Sequence, residues 1–135
     1  MINVIDYTER HEGFALVNSI DPYENEIIIA EREGFPVGIL SYDRRDNGLF
    51  ISSIGVMDNH RRQGVGSSMV AYLKLKNFDE EITASAHKDS FALISFLQKC
   101  DFELTRKQHT CYKFHFCKQD VPVLDLTNRI SKHYG

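Results

Sequence analysis

The feature that most constrains the fold is a change of apolar spacing near Met57. Upstream, β-type runs at residues 26–33, 35–42 and 49–57 are separated by two turn signals, Glu33-Gly34 and Asp46-Asn47-Gly48. Glycine after an acidic or amide residue supplies the positive φ of a two-residue turn, so the three runs read as an antiparallel meander. Residues 2–7 alternate as an earlier strand, and Thr8 can cap a short helix over 10–18 that ends near Asp21-Pro22. Downstream the spacing becomes helical, with Met69, Val70, Leu73 and Leu75 in a helix over 67–77. A strand follows at 82–86, then a helix from Phe91 to about Lys99 capped by Asp89 or Ser90, then strands at 102–105 and 111–117. This order predicts a mixed α/β (α+β) fold with helices on both faces of the central strands.

The 135 residues match one domain, and 42% hydrophobic content with only 3 prolines excludes a disordered or fibrous chain. The expected domain covers residues 1–118. Residues 119–135 are a weakly patterned tail suited to an extra strand or a partner contact. The apolar runs fall far short of the ~18 residues of a membrane span. Residues 1–6 have neither the basic nor the apolar region of a secretory leader, so a cytoplasmic protein is expected. A formal net charge of −3 argues against a nucleic-acid binder. The charge is uneven: residues 1–34 carry eight acids against two bases, while the remainder is net positive.

Three cysteines, Cys100, Cys111 and Cys117, form no CxxC pair and no disulfide framework. The run His109-Thr-Cys111-Tyr-Lys-Phe-His115-Phe-Cys117 contains His-x-Cys twice. On a strand these side chains share a face about 6.6 Å apart, too spread to close on one ion unless ligands come from elsewhere. No metal is expected on the sequence alone.

The stretch from Ile54 to Ser68 reads as a strand, a basic loop punctuated by glycine, and a helix start. Unpaired N–H groups and the helix dipole bind anions at such a place. Gly64 and Gly66 permit close approach, and Arg61 and Arg62 add full charges. A Walker loop is absent because Ser67 follows Gly66 where lysine is required, and a dinucleotide fingerprint lacks its third glycine.

Arg61-Arg-Gln-Gly64-Val-Gly66, after the strand that ends in Ile54-Gly-Val56, resembles the acetyl-CoA loop of the Gcn5-related N-acetyltransferase (GNAT) superfamily, whose order of elements also matches residues 2–117. The family's second motif survives only as a framework, with Ser90, Leu93, Leu97, Asp101 and Phe102 at its positions. The resemblance implies a mixed, mostly antiparallel twisted sheet of six to seven strands, splayed between the fourth and fifth, and acetyl-CoA as cofactor. It places the pyrophosphate on the amides of Arg62, Gln63, Gly64, Val65, Gly66 and Ser67, with Arg61 beside them. Ile54 and Val56 would pair with the pantetheine arm, Val56 N–H would hold the oxyanion, and Ser90 and Phe96 would lie near the arm's far end. Gly55 is either the bulge that opens the sheet or a neutral small residue.

The implied activity is transfer of an acetyl group to a primary amine by direct attack in a ternary complex. The alternative is a catalytically weak CoA or acyl-CoA binding module that acts through a partner. No carboxylate lies between Gly48 and Val56, where many family members carry a base, and Leu97 replaces the usual tyrosine acid. His87 is the candidate proton shuttle, or an ordinary loop histidine, while Tyr112 and, more weakly, Tyr42 are candidate acids. His60 either assists the anion or does nothing. The cysteines show no base partner in the sequence, which disfavours an acyl-cysteine. The acceptor, a small molecule or peptide amine, would meet residues 8–25, where acids at 21, 24 and 26 favour a cation. A monomer or homodimer is expected.

Overall fold

The computed structural model describes residues 1–117, so the expectation for 119–135 lies outside the described residues. Seven strands form one sheet: β1 (Ile2–Asp6), β2 (Glu26–Arg32), β3 (Phe35–Arg45), β4 (Gly48–Val56), β5 (Ile82–His87), β6 (Glu103–Lys107) and β7 (Cys111–Phe116). Their order is β1-β2-β3-β4-β5-β7-β6, and only the β4–β5 pair is parallel. Three α-helices accompany them: α1 (Glu12–Val17), α2 (Val65–Lys76) and α3 (Phe91–Lys99).

The meander forms where the turn signals stand. At the first turn Glu33 and Gly34 both take positive φ, 53° and 83°, the pattern of a turn whose twist matches its strands. β3 runs through Arg45, three residues beyond the apolar run, because Asp43, Arg44 and Arg45 still pair with β4. Their side chains are polar, so apolar spacing alone ended the strand too early.

The helices divide between the two faces. Ala15 of α1 and Ile20 after it pack on Ile27, Ile29 and Ile39, the odd positions of β2 and β3. The even positions Ile28, Ala30, Leu40 and Tyr42 face the larger core, which Met69, Val70 and Leu73 of α2 and Leu97 of α3 close. Burial of these side chains, each about 1.5–3 kcal/mol when complete, is what holds helix to sheet.

The start of α1 is fastened by a buried polar cluster. Thr8 N–H donates to His11 Nδ1 at 2.9 Å, so the ring's proton sits on Nε2, which donates to Glu31 Oε2 at 2.9 Å. Arg10 grips the same carboxylate with both terminal nitrogens, at 2.6 and 3.0 Å. First the Arg10 hydrogen bonds and then that from His11 hold the Glu31 carboxyl below its usual range, against the effect of burial.

Candidate functional site

Strand β4 changes phase halfway. Leu49 and Ile51 face the α2 side of the sheet, and so do Ile54 and Val56. Two odd positions followed by two even ones require one extra residue, and the register supplies it. Tyr42 pairs with Ile51 and Ser41 with Ser53, leaving Ser52 as a β-bulge. Gly55 pairs regularly with Ile39, and a Cβ added there would stand 3.5 Å from Asn18 Oδ1, an ordinary contact. It is the neutral small residue, not the bulge.

The bulge parts the sheet. β4 and β5 pair at Leu49–Ile82, Phe50–Thr83 and Ile51–Ala84 and nowhere beyond. The gap opens into a cleft of about 370 Å³ between Ile51–Ile54 on one wall and Ala84 and Ser85 on the other. Val70 of α2 and Leu93, Phe96 and Leu97 of α3 form its floor. Met57 N–H donates to Val37 O at 2.9 Å. Alternation then turns Gly55 N–H toward β3 and the N–H groups of Ile54 and Val56 toward the gap, where no strand among the described residues meets them. Arg61 Nε donates to Val56 O at 3.1 Å, steadying this end of the strand.

The loop at the top of the cleft is built to leave amides open. Gly64 caps α2 with φ 80°, a left-handed conformation suited to glycine. The first helical bond runs from Ser68 N–H to Gly64 O at 2.9 Å, so the N–H groups of Val65, Gly66 and Ser67 precede it. No side chain caps them and no acid stands in the first turn, which leaves the positive end of the helix dipole unopposed. A Cβ on Gly66 would stand 3.0 and 3.1 Å from ring carbons of Phe96, so this glycine lets α2 and α3 approach beside the cleft.

The two arginines of the loop differ. Arg61 is occupied, pairing with Asp58 Oδ1 at 3.1 Å besides holding Val56. Arg62, exposed and with φ 61°, forms no ion pair among the described residues. A third arginine, not singled out in the sequence, braces the loop: Arg32 donates to His60 Nδ1 at 2.9 Å and to Gln63 Oε1 at 2.5 Å. His60, half-buried, and the exposed Gln63 side chain thus act as fasteners of the loop.

The structure places the remaining sequence candidates apart from the cleft. His87 ends β5 opposite Cys111, is about half exposed, and accepts Asp89 N–H on Nδ1 at 3.1 Å. Tyr112 pairs with Ala86 and lies beneath Lys107, 5.5 Å from its ring centre. Neither lines the cleft. Tyr42 is sealed in the core at 1% exposure, and burial pushes its phenol up. Cys100 is buried too, and its thiol is pushed up by that burial. Ser90 precedes α3 as its cap residue.

Three serines line the cleft, Ser52, Ser53 and Ser85, and the sequence assigns none of them a role. The Ser52 hydroxyl donates to Asn25 Oδ1 at 3.4 Å and lies 2.9 Å from Ser41 Oγ. This chain of groups joins the bulge to the segment that leads into β2. The phase change between Ile51 and Ile54 was the signal for it. The acids of the N-terminal third are less free than their number implies. Glu26 pairs with Arg44 at 3.1 Å, Asp6 with Lys76 at 2.6 Å, and Glu31 with Arg10 and His11. Asp21 and Glu24 stay exposed between α1 and β2.

Solved structures share this architecture. The ribosomal-protein-S18-alanine N-acetyltransferase of Escherichia coli superposes with a TM-score of 0.72 at 10% identity, covering 88% of this chain and 95% of its own. Arabidopsis thaliana Naa50, in complex with the bisubstrate analogue CoA-Ac-MVNAL, gives 0.70 at 16%, covering 85% and 97%. A GNAT family acetyltransferase from Elizabethkingia anophelis with acetyl-CoA bound gives 0.69 at 14%, covering 87% and 98%. At these identities the likeness is one of fold. Among curated protein sequences none matches the chain. The sequence pattern of the acetyltransferase (GNAT) family matches residues 4–102, from within β1 to the residue before β6, and the chain belongs to that family.

Proposed function

We propose that the protein is an acetyl-CoA-dependent N-acetyltransferase that moves an acetyl group to a primary amine by direct attack. The observation that carries this reading is the succession of three features from β4 into α2: the split at Ser52, the outward N–H groups of Ile54 and Val56, and the open amides of Val65, Gly66 and Ser67. A diphosphate fits the third because only small backbone and an unpaired Arg62 lie there. An extended amide-bearing arm fits the second as an added strand. The bound neighbours in Arabidopsis and Elizabethkingia structures carry CoA or acetyl-CoA.

The order along β4 refines the roles. Val56 adjoins the loop and does not line the cleft, whereas Ile54 lines it beside the bulge. An arm running from the loop into the split would therefore meet Val56 first and present its thioester near Ile54. The oxyanion donor becomes Ile54 N–H, with Val56 serving the arm. The thioester supplies an acyl group with a thiolate leaving group, and the amine must arrive neutral. Among the described residues no carboxylate or imidazole lines the cleft, so proton removal falls to water ordered by Ser52, Ser53 and Ser85.

The acceptor approaches along the segment ending at Asn25, where Asp21 and Glu24 favour a cation. Two neighbours act on or hold peptide-type acceptors, an S18 alanine and an MVNAL analogue, which supports a peptide N-terminus or a small amine here. Thiol release from acetyl-CoA across a panel of amines, with CoA binding measured by calorimetry alongside, tests the reading. Amine-dependent release supports it. CoA binding without release from any amine overturns transfer and leaves a binding module.

A further inference from the structure

At the far end of β5 from the cleft, the His-x-Cys motif meets a ligand from another part of the chain. Glu81, just before β5, brings its carboxylate to His115 Nε2 on β7 in a short contact. Cys117 Sγ stands 3.7 Å from the ring's other nitrogen, Nδ1. Donor atoms of all three residues lie within 4.8 Å of one another. The fold thus brings a carboxylate from elsewhere in the chain onto the histidine of that motif, while the chain after β7 carries Cys117 to the ring's other nitrogen. Glu103, opposite His115 in the β6–β7 register, adds a further exposed acid beside the group.

The chemistry is directional. A carboxylate on Nε2 keeps the proton there and leaves the Nδ1 lone pair facing the sulfur. A separation of 3.7 Å between sulfur and nitrogen is close to the edge of a tetrahedron with legs of about 2.3 and 2.0 Å, those of zinc to thiolate and imidazole. We infer that Cys117, His115 and Glu81 form a site for a zinc-class divalent cation, with the Cys117 thiolate and His115 Nδ1 as direct ligands, Glu81 orienting the ring, and water completing the shell. Binding releases the thiol proton to solvent. The side chains are 27% exposed at His115 and 36% at Glu81, so an ion has access. A nucleophilic role in acyl transfer does not fit, because Cys117 lies about 13 Å along β7 from Lys113, which hydrogen-bonds the cleft residue Ser85. The ion would instead close the end of β7 onto Cys117, with Glu81 holding the ring from the start of β5, the strand that forms one wall of the cleft.

Titration of the reduced full chain with cobalt(II), followed by absorption, tests this. A thiolate-to-cobalt charge-transfer band at one equivalent, displaced by zinc, is expected. Cys117→Ser and His115→Ala should abolish it, Glu81→Gln should weaken affinity about 10–100-fold, and Cys111→Ser should leave it intact. Circular dichroism of each variant separates lost binding from lost folding. Absence of the band in the folded chain, or its persistence in Cys117→Ser, overturns the site.

Discussion

At the scale of single residues, Gly66 and Arg62 carry the sharpest consequences. Gly66→Ala drives a methyl against the Phe96 ring and should destabilise the fold by about 1–3 kcal/mol, while raising the KM for acetyl-CoA. Thermal unfolding and steady-state kinetics check both. Arg62→Ala should weaken CoA binding and flatten its salt dependence with little effect on melting temperature, because its guanidinium forms no ion pair among the described residues. Arg61→Ala should do the reverse in part, loosening the strand end at Val56 as well as the loop. Glu31 sets a pH dependence. Its folded carboxyl lies below the ordinary range, so its stabilisation is complete above the unfolded value of ~4.3 and lost as pH falls through the lowered folded one. Glu31→Gln should therefore lower the melting temperature by several degrees at pH 7, and the gap to wild type should close in acid.

At the scale of elements, the bulge in β4 decides what faces the cleft. Ile54→Pro and Val56→Pro each remove an N–H that β3 does not use, so their kinetic signatures should differ. The first should cut kcat by about 10²–10³, the loss of one oxyanion donor, and the second should act mainly on KM. Equal loss of kcat in both would contradict the assigned order. The elements themselves were legible from spacing because their apolar alternation is strong, as in β2, or because glycine marks their ends, as at Gly34 and Gly64. What spacing could not show was the pairing across them. Ser52 is recognisable only when Leu49 and Ile51 are compared with Ile54 and Val56, and the brace from Arg32 to His60 joins positions 28 apart. The sequence offers His87 as a proton shuttle at the expected splay and Tyr112 as an acid on the last strand. The structure puts the splay on the β4 side of β5 and these two on the side of β7.

At the scale of the molecule, the acidic N-terminal third and the more basic remainder do not form two opposed lobes. Ion pairs cross between them: Glu26 to Arg44, Asp6 to Lys76. The free acids that remain by the acceptor segment, Asp21 and Glu24, predict a rise in acceptor KM with ionic strength and on substitution to Asn and Gln, with acetyl-CoA affinity unchanged. Acceptor-dependent kinetics at two salt concentrations would show it. The central claim is transfer itself, at a split sheet whose lining, among the described residues, holds hydroxyls and no carboxylate. Mass spectrometry of an amine and peptide panel incubated with acetyl-CoA and the full chain tests it most directly. The account predicts products heavier by one acetyl group, formed on primary amines and reduced at least tenfold by Ile54→Pro. Free CoA and acetate with every amine unmodified would contradict it.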